Sequence, residues 1–218
     1  MTTCGYVALM GEPNAGKSTL LNQFLKTKLS IVTPKVQTTR RRILGIHTHG
    51  KTQIIFVDTP GIFTPTKPLE KAMVKEAWNS VKDSDVLVVL VDVSKKSHQY
   101  SRDLLLKALD QNKKTILVLN KVDSIPKDHL LAITTHMLDT RLNKVFMISA
   151  LKNKGVQDVL DYLETLMPPG PWCYDEDQLS DTPTKILTAE MTREKVFLNV
   201  HPSDPNPAES QTNAQTGF

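Results

Sequence analysis

Gly11-Glu12-Pro13-Asn14-Ala15-Gly16-Lys17-Ser18 satisfies the spacing GxxxxGK[ST] at every position. The chemistry served by that spacing is the holding of phosphate. Main-chain N–H groups converge on the anion, a helix N-terminus adds its dipole, and a lysine ammonium supplies a full charge. Lys17 is that ammonium; the Ser18 hydroxyl, followed by Thr19, stands where a Mg²⁺ ligand is needed. Asn120-Lys121-Val122-Asp123 carries a different chemistry. The Asp123 carboxylate can accept from the ring N–H and the 2-amino group of guanine. Adenine has no such pair of donors on that edge and would leave the carboxylate unpaired. Asn120 is placed to tie this loop to the phosphate loop, and the Lys121 stem to pack over a base plane.

Three shorter runs fall in order with these two. Asp58-Thr59-Pro60-Gly61 offers a carboxylate for the hydration shell of Mg²⁺ and a glycine N–H for the terminal phosphate. Ser149-Ala150-Leu151 can complete the base pocket with main-chain groups. Between phosphate loop and Asp58 lies Val36-Gln37-Thr38-Thr39-Arg40, where a Mg²⁺-ligating switch threonine belongs. Either Thr38 or Thr39 can supply it, and Thr39 is favoured. Taken singly, a Gly-bearing turn or a helix-capping turn explains each motif. Together, in this order, they predict a GTP-binding domain that takes GTP or GDP as ligand and Mg²⁺ as cofactor.

The elements that must position these residues are legible as alternating patterns. Apolar runs predict strands near Gly5–Met10, Arg42–Thr48, Thr52–Val57, Val86–Val91, Lys114–Leu119 and Val145–Ile148. Helical periodicity predicts helices near Gly16–Lys26, Pro68–Lys82, Tyr100–Gln111, Lys127–Arg141 and Val156–Leu166. The fold class is therefore α/β, a P-loop NTPase with a mostly parallel six-stranded sheet covered by helices on both faces. Nucleotides bind such sheets beyond the carboxyl ends of the strands, where every motif above sits.

GEPNAGKSTLLNQFL, VQTTR, DTPGI, NKVD and SAL together resemble the Era family of GTPases over about residues 1–200. The resemblance implies hydrolysis of GTP, binding to 16S rRNA and the small ribosomal subunit during its assembly, a cytoplasmic location and peripheral association with the inner membrane. It implies catalytic work at Lys17, Thr39, Gly61 and Asn14, with Ser18, Thr39 and Asp58 as the Mg²⁺ set. Where many GTPases carry a water-orienting glutamine after the DxxG glycine, this chain has Ile62. Hydrolysis by the domain alone should then be slow or use another device. In the resembling group that device is a bound K⁺, marked by an asparagine at the position of Asn14. A turn-capping role for Asn14 is the equal alternative. Thr64, Thr66 and Lys67 are weaker polar candidates.

The resemblance also implies a second, KH-type RNA-binding domain. Met167-Pro168-Pro169-Gly170-Pro171-Trp172 breaks the last helix, so the expected division is a G domain over 1–168 and a solvated linker over 169–181. A KH-type start over 182–201 and a disordered tail over 202–218 follow. That tail is rich in proline and polar residues, and no GxxG loop follows residue 181. The expectation is a truncated, α+β KH remnant with impaired RNA binding, from a frameshift, a premature stop or a genuine short variant. Competing readings are a GTP-dependent switch with negligible turnover, and a GTPase with a different ribosomal or tRNA client.

Composition narrows the remaining options only mildly. The 218 residues carry 27 basic and 23 acidic side chains, a net +4 that permits an RNA partner without proving one. No apolar run reaches the roughly 20 residues of a membrane span. Cys4 and Cys173, far apart in sequence, read as reduced thiols. Arg40-Arg41-Arg42 reads as a solvated face before it reads as an RNA contact, and Trp78 reads as core. His47 and His49 read as surface residues without metal-ligand spacing, and His98, His129, His136 and His201 as isolated.

Overall fold

The structure is a computed structural model and describes residues 1–30, 43–65 and 67–181, with positions 192 and 195. Thr38, Thr39, Arg40-Arg41-Arg42, Thr66, the KH-type start apart from positions 192 and 195, and the tail lie outside the described residues. Six strands form one sheet: β1 Thr3–Gly11, β2 Ile43–His49, β3 Thr52–Asp58, β4 Val86–Asp92, β5 Lys114–Asn120 and β6 Lys144–Ile148. Five α-helices are set among and after them within the described residues: α1 Lys17–Leu25, α2 Pro68–Lys82, α3 Gln99–Leu109, α4 Lys127–Met137 and α5 Val156–Leu166. The sheet order is β2-β3-β1-β4-β5-β6, with only β2 antiparallel to its neighbour. The expected mostly parallel, doubly covered sheet is the fold observed.

Burial explains why β4 and β5 read as unbroken apolar runs. All seven residues of β4 are buried, because helices cover it from both sides. On one face Leu20, Leu21 and Phe24 of α1 and Val159, Leu160 and Leu163 of α5 pack against Val7, Leu9, Ile54 and Val88. The Phe24 and Phe56 rings stack there at 4.8 Å. On the other face Ala77 and Val81 of α2, Leu104 and Leu105 of α3, and Met137 of α4 cover Ala8, Met10, Leu87 and Val89. Trp78 packs at the margin of this second cluster, as its spacing suggested.

Parallel register does the positioning. Leu9 pairs with Asp58 across β1 and β3, Gly11 with Leu90 across β1 and β4, and Asp92 with Asn120 across β4 and β5. Every strand that carries a motif therefore ends at the same edge. β1 is also where the strand order reverses, with β3 on one side and β4 on the other, and ligands bind beyond such a switch point.

Two expectations need correction. Helix α4 stops at Met137 rather than Arg141. Asp139 accepts from the Arg141 N–H at 3.0 Å, and Arg102 of α3 donates to the carbonyl oxygen of Met137 at 2.9 Å, so side chains end the helix where periodicity continued it. The segment after α5 is not a free, solvated linker. Trp172 and Tyr174 pack on the cluster of Cys4, Leu44, Ile55 and Val57. Gln53, wholly buried on β3, accepts from the N–H groups of Cys173 and Tyr174 at 2.9 and 3.1 Å and donates to the Tyr174 carbonyl at 2.9 Å. Ile46 donates to the Leu179 carbonyl at 2.9 Å. The acidic run Asp175-Glu176-Asp177 does remain exposed.

Candidate functional site: a phosphate cradle joined to a base pocket

The phosphate loop leaves β1 at Gly11 and enters α1 through Gly16, whose φ of +98° is one that side chains rarely adopt. A Cβ on Gly16 would also lie 2.2 Å from Nδ2 of Asn120. Glycine is required there twice over, once for the turn and once for the neighbour. Asn14 takes a φ of +62°, in the left-handed region that asparagine tolerates. Lys17 is 6 % exposed and donates to the carbonyl oxygens of Gly11 and Glu12 at 3.1 and 2.9 Å, which holds its ammonium against the loop. Burial lowers its pKa from 10.5 to about 8, opposed mainly by the Asp58 carboxylate.

The residues for Mg²⁺ are brought together. Ser18 Oγ donates to Asp58 Oδ2 at 2.8 Å, and Asp58 is fully buried at the end of β3. A hydroxyl and a buried carboxylate, side by side at the mouth of a phosphate loop, are the oxygen donors a hard divalent cation takes. Thr59 donates its hydroxyl to the Leu9 carbonyl at 2.8 Å, locking the DxxG run onto β1. Gly61 approaches so closely that a Cβ would sit 2.7 Å from the Pro13 nitrogen. The Ile62 N–H then donates to the Gly11 carbonyl at 3.0 Å.

Ile62, at the place of the water-orienting glutamine, turns its side chain into the core. It is 3 % exposed and packs with Met10, Ala77 and Val81. An apolar side chain at this position gains more from the core than from a polar cradle. Thr64 instead hydrogen-bonds Tyr100 of α3, and the Lys67 N–H is taken by Glu70 at 3.1 Å, which caps α2.

Asn120 joins the two halves. Its Nδ2 donates to the Ala15 carbonyl at 2.8 Å, and its Oδ1 accepts from the Ala150 N–H at 3.0 Å. One amide thus bridges the phosphate loop, the β5 end and the Ser149-Ala150-Leu151 loop, the tie its type and position suggested. Asp123 lies at the surface, hydrogen-bonded to Ser149 and paired with Lys152 at 3.1 Å. Those bonds, Ser149 foremost, hold its carboxyl below the usual range. Ser149 is buried and Leu151 is exposed. Lys121 stands at φ +67° with its ammonium 2.6 Å from Asp92.

Four partners escaped the sequence reading. Glu12 is not aimed at a ligand: its carboxylate accepts from Lys95 at 2.5 Å and from the Ser101 hydroxyl of α3. Asp92 fixes Lys121, and Lys152 steadies Asp123. Asp92 had a signal, since it ends a buried strand as Asp58 and Asn120 do; Lys95, Ser101 and Lys152 had none. His47 and His49 also have a partner, Glu164 of α5, at 3.6 and 3.0 Å, and burial lowers the His47 pKa.

Residues 6–121 match the family model described as 50S ribosome-binding GTPase. The chain is 46 % identical over 212 residues to the GTPase Era of Mesorhizobium japonicum, covering 97 % of this chain and 68 % of that protein. The chain belongs to the Era family of GTPases. The Caulobacter vibrioides Era is 45 % identical over 230 residues, covering 98 % of this chain and 72 % of its own length. A crystal structure of Era with MgGDPNP and nucleotides 1506–1542 of 16S ribosomal RNA superposes with a TM-score of 0.85 at 36 % identity, over 93 % of this chain and 70 % of that one. An Aquifex aeolicus Era variant bound to GDP·AlF₄⁻ gives the same TM-score and identity, over 93 % and 69 %. The site is thus that of an Era-family enzyme that binds guanine nucleotide with Mg²⁺ and hydrolyses GTP to GDP and phosphate. Among the described residues no helix is long and apolar enough to cross a membrane.

Proposed function

We propose that this chain is a K⁺-assisted GTPase whose nucleotide state governs an interaction with 16S ribosomal RNA during small-subunit assembly in the cytoplasm. The observation that supports the nucleotide half is the Asn120 bridge, which ties the phosphate loop at Ala15 to the loop at Ala150, beside the Ser18–Asp58 hydrogen bond. The RNA half is supported by the likeness to a solved Era structure that holds both MgGDPNP and 16S RNA.

Each residue has a distinct task. The Lys17 ammonium meets the outer phosphates, which restore the proton that burial makes costly. Ser18, Asp58 and Thr39 hold Mg²⁺, which neutralises phosphate charge when bound. The Gly61 N–H is offered to the terminal phosphate, and Asp123 selects guanine. With Ile62 turned into the core, no side chain at that position orients the attacking water. Asn14, exposed at the rim of the loop, is the residue we assign to K⁺.

The test is single-turnover GTP hydrolysis in K⁺ and in Na⁺ at equal ionic strength, with Asn14→Ala alongside. Stimulation by K⁺ that the variant abolishes supports the assignment. Equal slow rates in both salts, with GTP still bound, would leave a switch that waits for a partner to complete catalysis.

A further inference from the structure

Cys4 and Cys173 are 169 residues apart in sequence, yet their sulfurs lie 3.6 Å from each other. Cys4 is buried on β1, and Cys173 is exposed in the segment strapped across the sheet. Their approach is built rather than incidental. The buried Gln53 Oε1 accepts from the Cys173 N–H at 2.9 Å and lies 3.7 Å from the Cys4 sulfur, so one amide oxygen gathers both residues. On either side, Cys4 donates its N–H to the Pro168 carbonyl at 3.1 Å and Trp172 donates to the Lys51 carbonyl at 3.2 Å.

We propose that Cys4 and Cys173 form a reversible redox pair that closes to a disulfide by exchange with a low-molecular-mass disulfide such as oxidised glutathione. Closure needs the sulfurs to approach from 3.6 Å to about 2.05 Å. The exposed Cys173 thiolate attacks one sulfur of the reagent, forming a mixed disulfide and expelling one thiolate. Cys4 then gives its proton to solvent and attacks the Cys173 sulfur, and the second thiolate leaves. Two protein thiols lose two electrons, one reagent disulfide gains them, and the two protons end on the released thiols.

The order follows from burial. Reagent reaches Cys173 and not Cys4, whose thiol burial pushes up to about 11 and keeps protonated until its partner is activated. The product would fasten the strap to the sheet covalently. Nothing in the nucleotide site is touched, since Cys4 lies near the start of β1 and the phosphate loop at its end.

The experiment uses the full chain, reduced and then equilibrated with mixtures of reduced and oxidised glutathione. It is quenched in acid and read by intact mass and by maleimide labelling after unfolding. The expected product is a monomer lighter by two hydrogens, with no free thiol and no glutathione, exceeding the mixed disulfide about tenfold because the second thiol is intramolecular. Cys4→Ser should trap glutathione on Cys173, and Cys173→Ser should leave Cys4 reduced. Both variants are checked for folding by fluorescent GDP binding. Glutathione persisting on wild-type Cys173 beside a free Cys4, a disulfide between two chains, or no oxidation would each overturn the proposal. The wild-type mass alone decides, so a variant that fails to fold does not rescue it.

Discussion

Lys17, Ser18 and Asp58 are almost wholly shielded from solvent, whereas Asp123 lies at the surface with Ser149 and Lys152 to hold it. The phosphate half of the site is made of main chain and buried side chains, with Gly16 and Gly61 so tightly placed that a methyl group would collide with a neighbour. The proposed base half is carried by two loops, with the Asp123 carboxylate at the surface and the Ala150 N–H bonded to Asn120. The difference teaches where each kind of recognition is stored. Phosphate needs convergent donors and charge, which a rigid turn supplies whatever the base. Base choice needs one carboxylate at the correct edge, and a small change there can alter it. Asn120 bonds to both the phosphate loop and the loop after β6.

The comparison can be broken at several points. Lys17→Ala removes the one buried cation of the phosphate half. Single-turnover rates should fall by about a hundred-fold or more, while the fold persists because the lost bonds are to two loop carbonyls. A rate within a few-fold of wild type would mean the buried ammonium is structural.

Asn120→Ala strands the Ala15 carbonyl and the Ala150 N–H, at about 1–3 kcal/mol for each buried unsatisfied group. Thermal melting and GDP titration should both register it, with a lowered Tm and weaker nucleotide binding. Unchanged Tm would separate the halves that the amide is argued to join.

Asp123→Asn should act on the base half alone. Guanine nucleotide affinity should drop by about ten- to a hundred-fold and xanthine nucleotide affinity rise, with Tm unmoved, because Asp123 is at the surface. Retained guanine selectivity in competition binding would sink the assignment.

The smallest effect is a pH dependence carried by Lys17. Its folded pKa, about 8, lies below the ordinary 10.5, so the charged form is the disfavoured one in the nucleotide-free protein. That contribution to stability is therefore complete above about 10.5 and lost as pH falls towards 8. Phosphate favours the charged form, so above pH 8 binding must take up a proton. Calorimetry in buffers of different ionisation enthalpy should show that uptake between pH 8 and 9, with affinity falling by up to about tenfold across the unit. Binding without proton uptake there would place the ammonium in a more solvated setting.

Much of this site could be read before any coordinates, for local reasons. GxxxxGK[ST] is a turn and a helix start in one stretch, and the β4 and β5 runs carry their burial in their own composition. Elsewhere the deciding partner is remote. The end of α4 is set by Arg102 and Asp139, and the packing of Ile62 against α2 explains what its apolar side chain does at that position. The Pro-rich stretch after α5 has the composition of a linker, but Gln53 satisfies its main chain from within the sheet.

The sequence by itself determined the alternation of strands and helices, the GxxxxGK[ST] turn and the family, because each is written in neighbouring residues whose spacing matches one turn or one face. Only the tertiary structure decided that Glu12 is spent on Lys95 and Ser101, that Ile62 faces the core, and that Cys4 meets Cys173 beneath a docked strap. Those contacts join residues scores of positions apart. Their formation depends on which buried polar groups still need partners once the sheet has closed, and no local pattern carries that information.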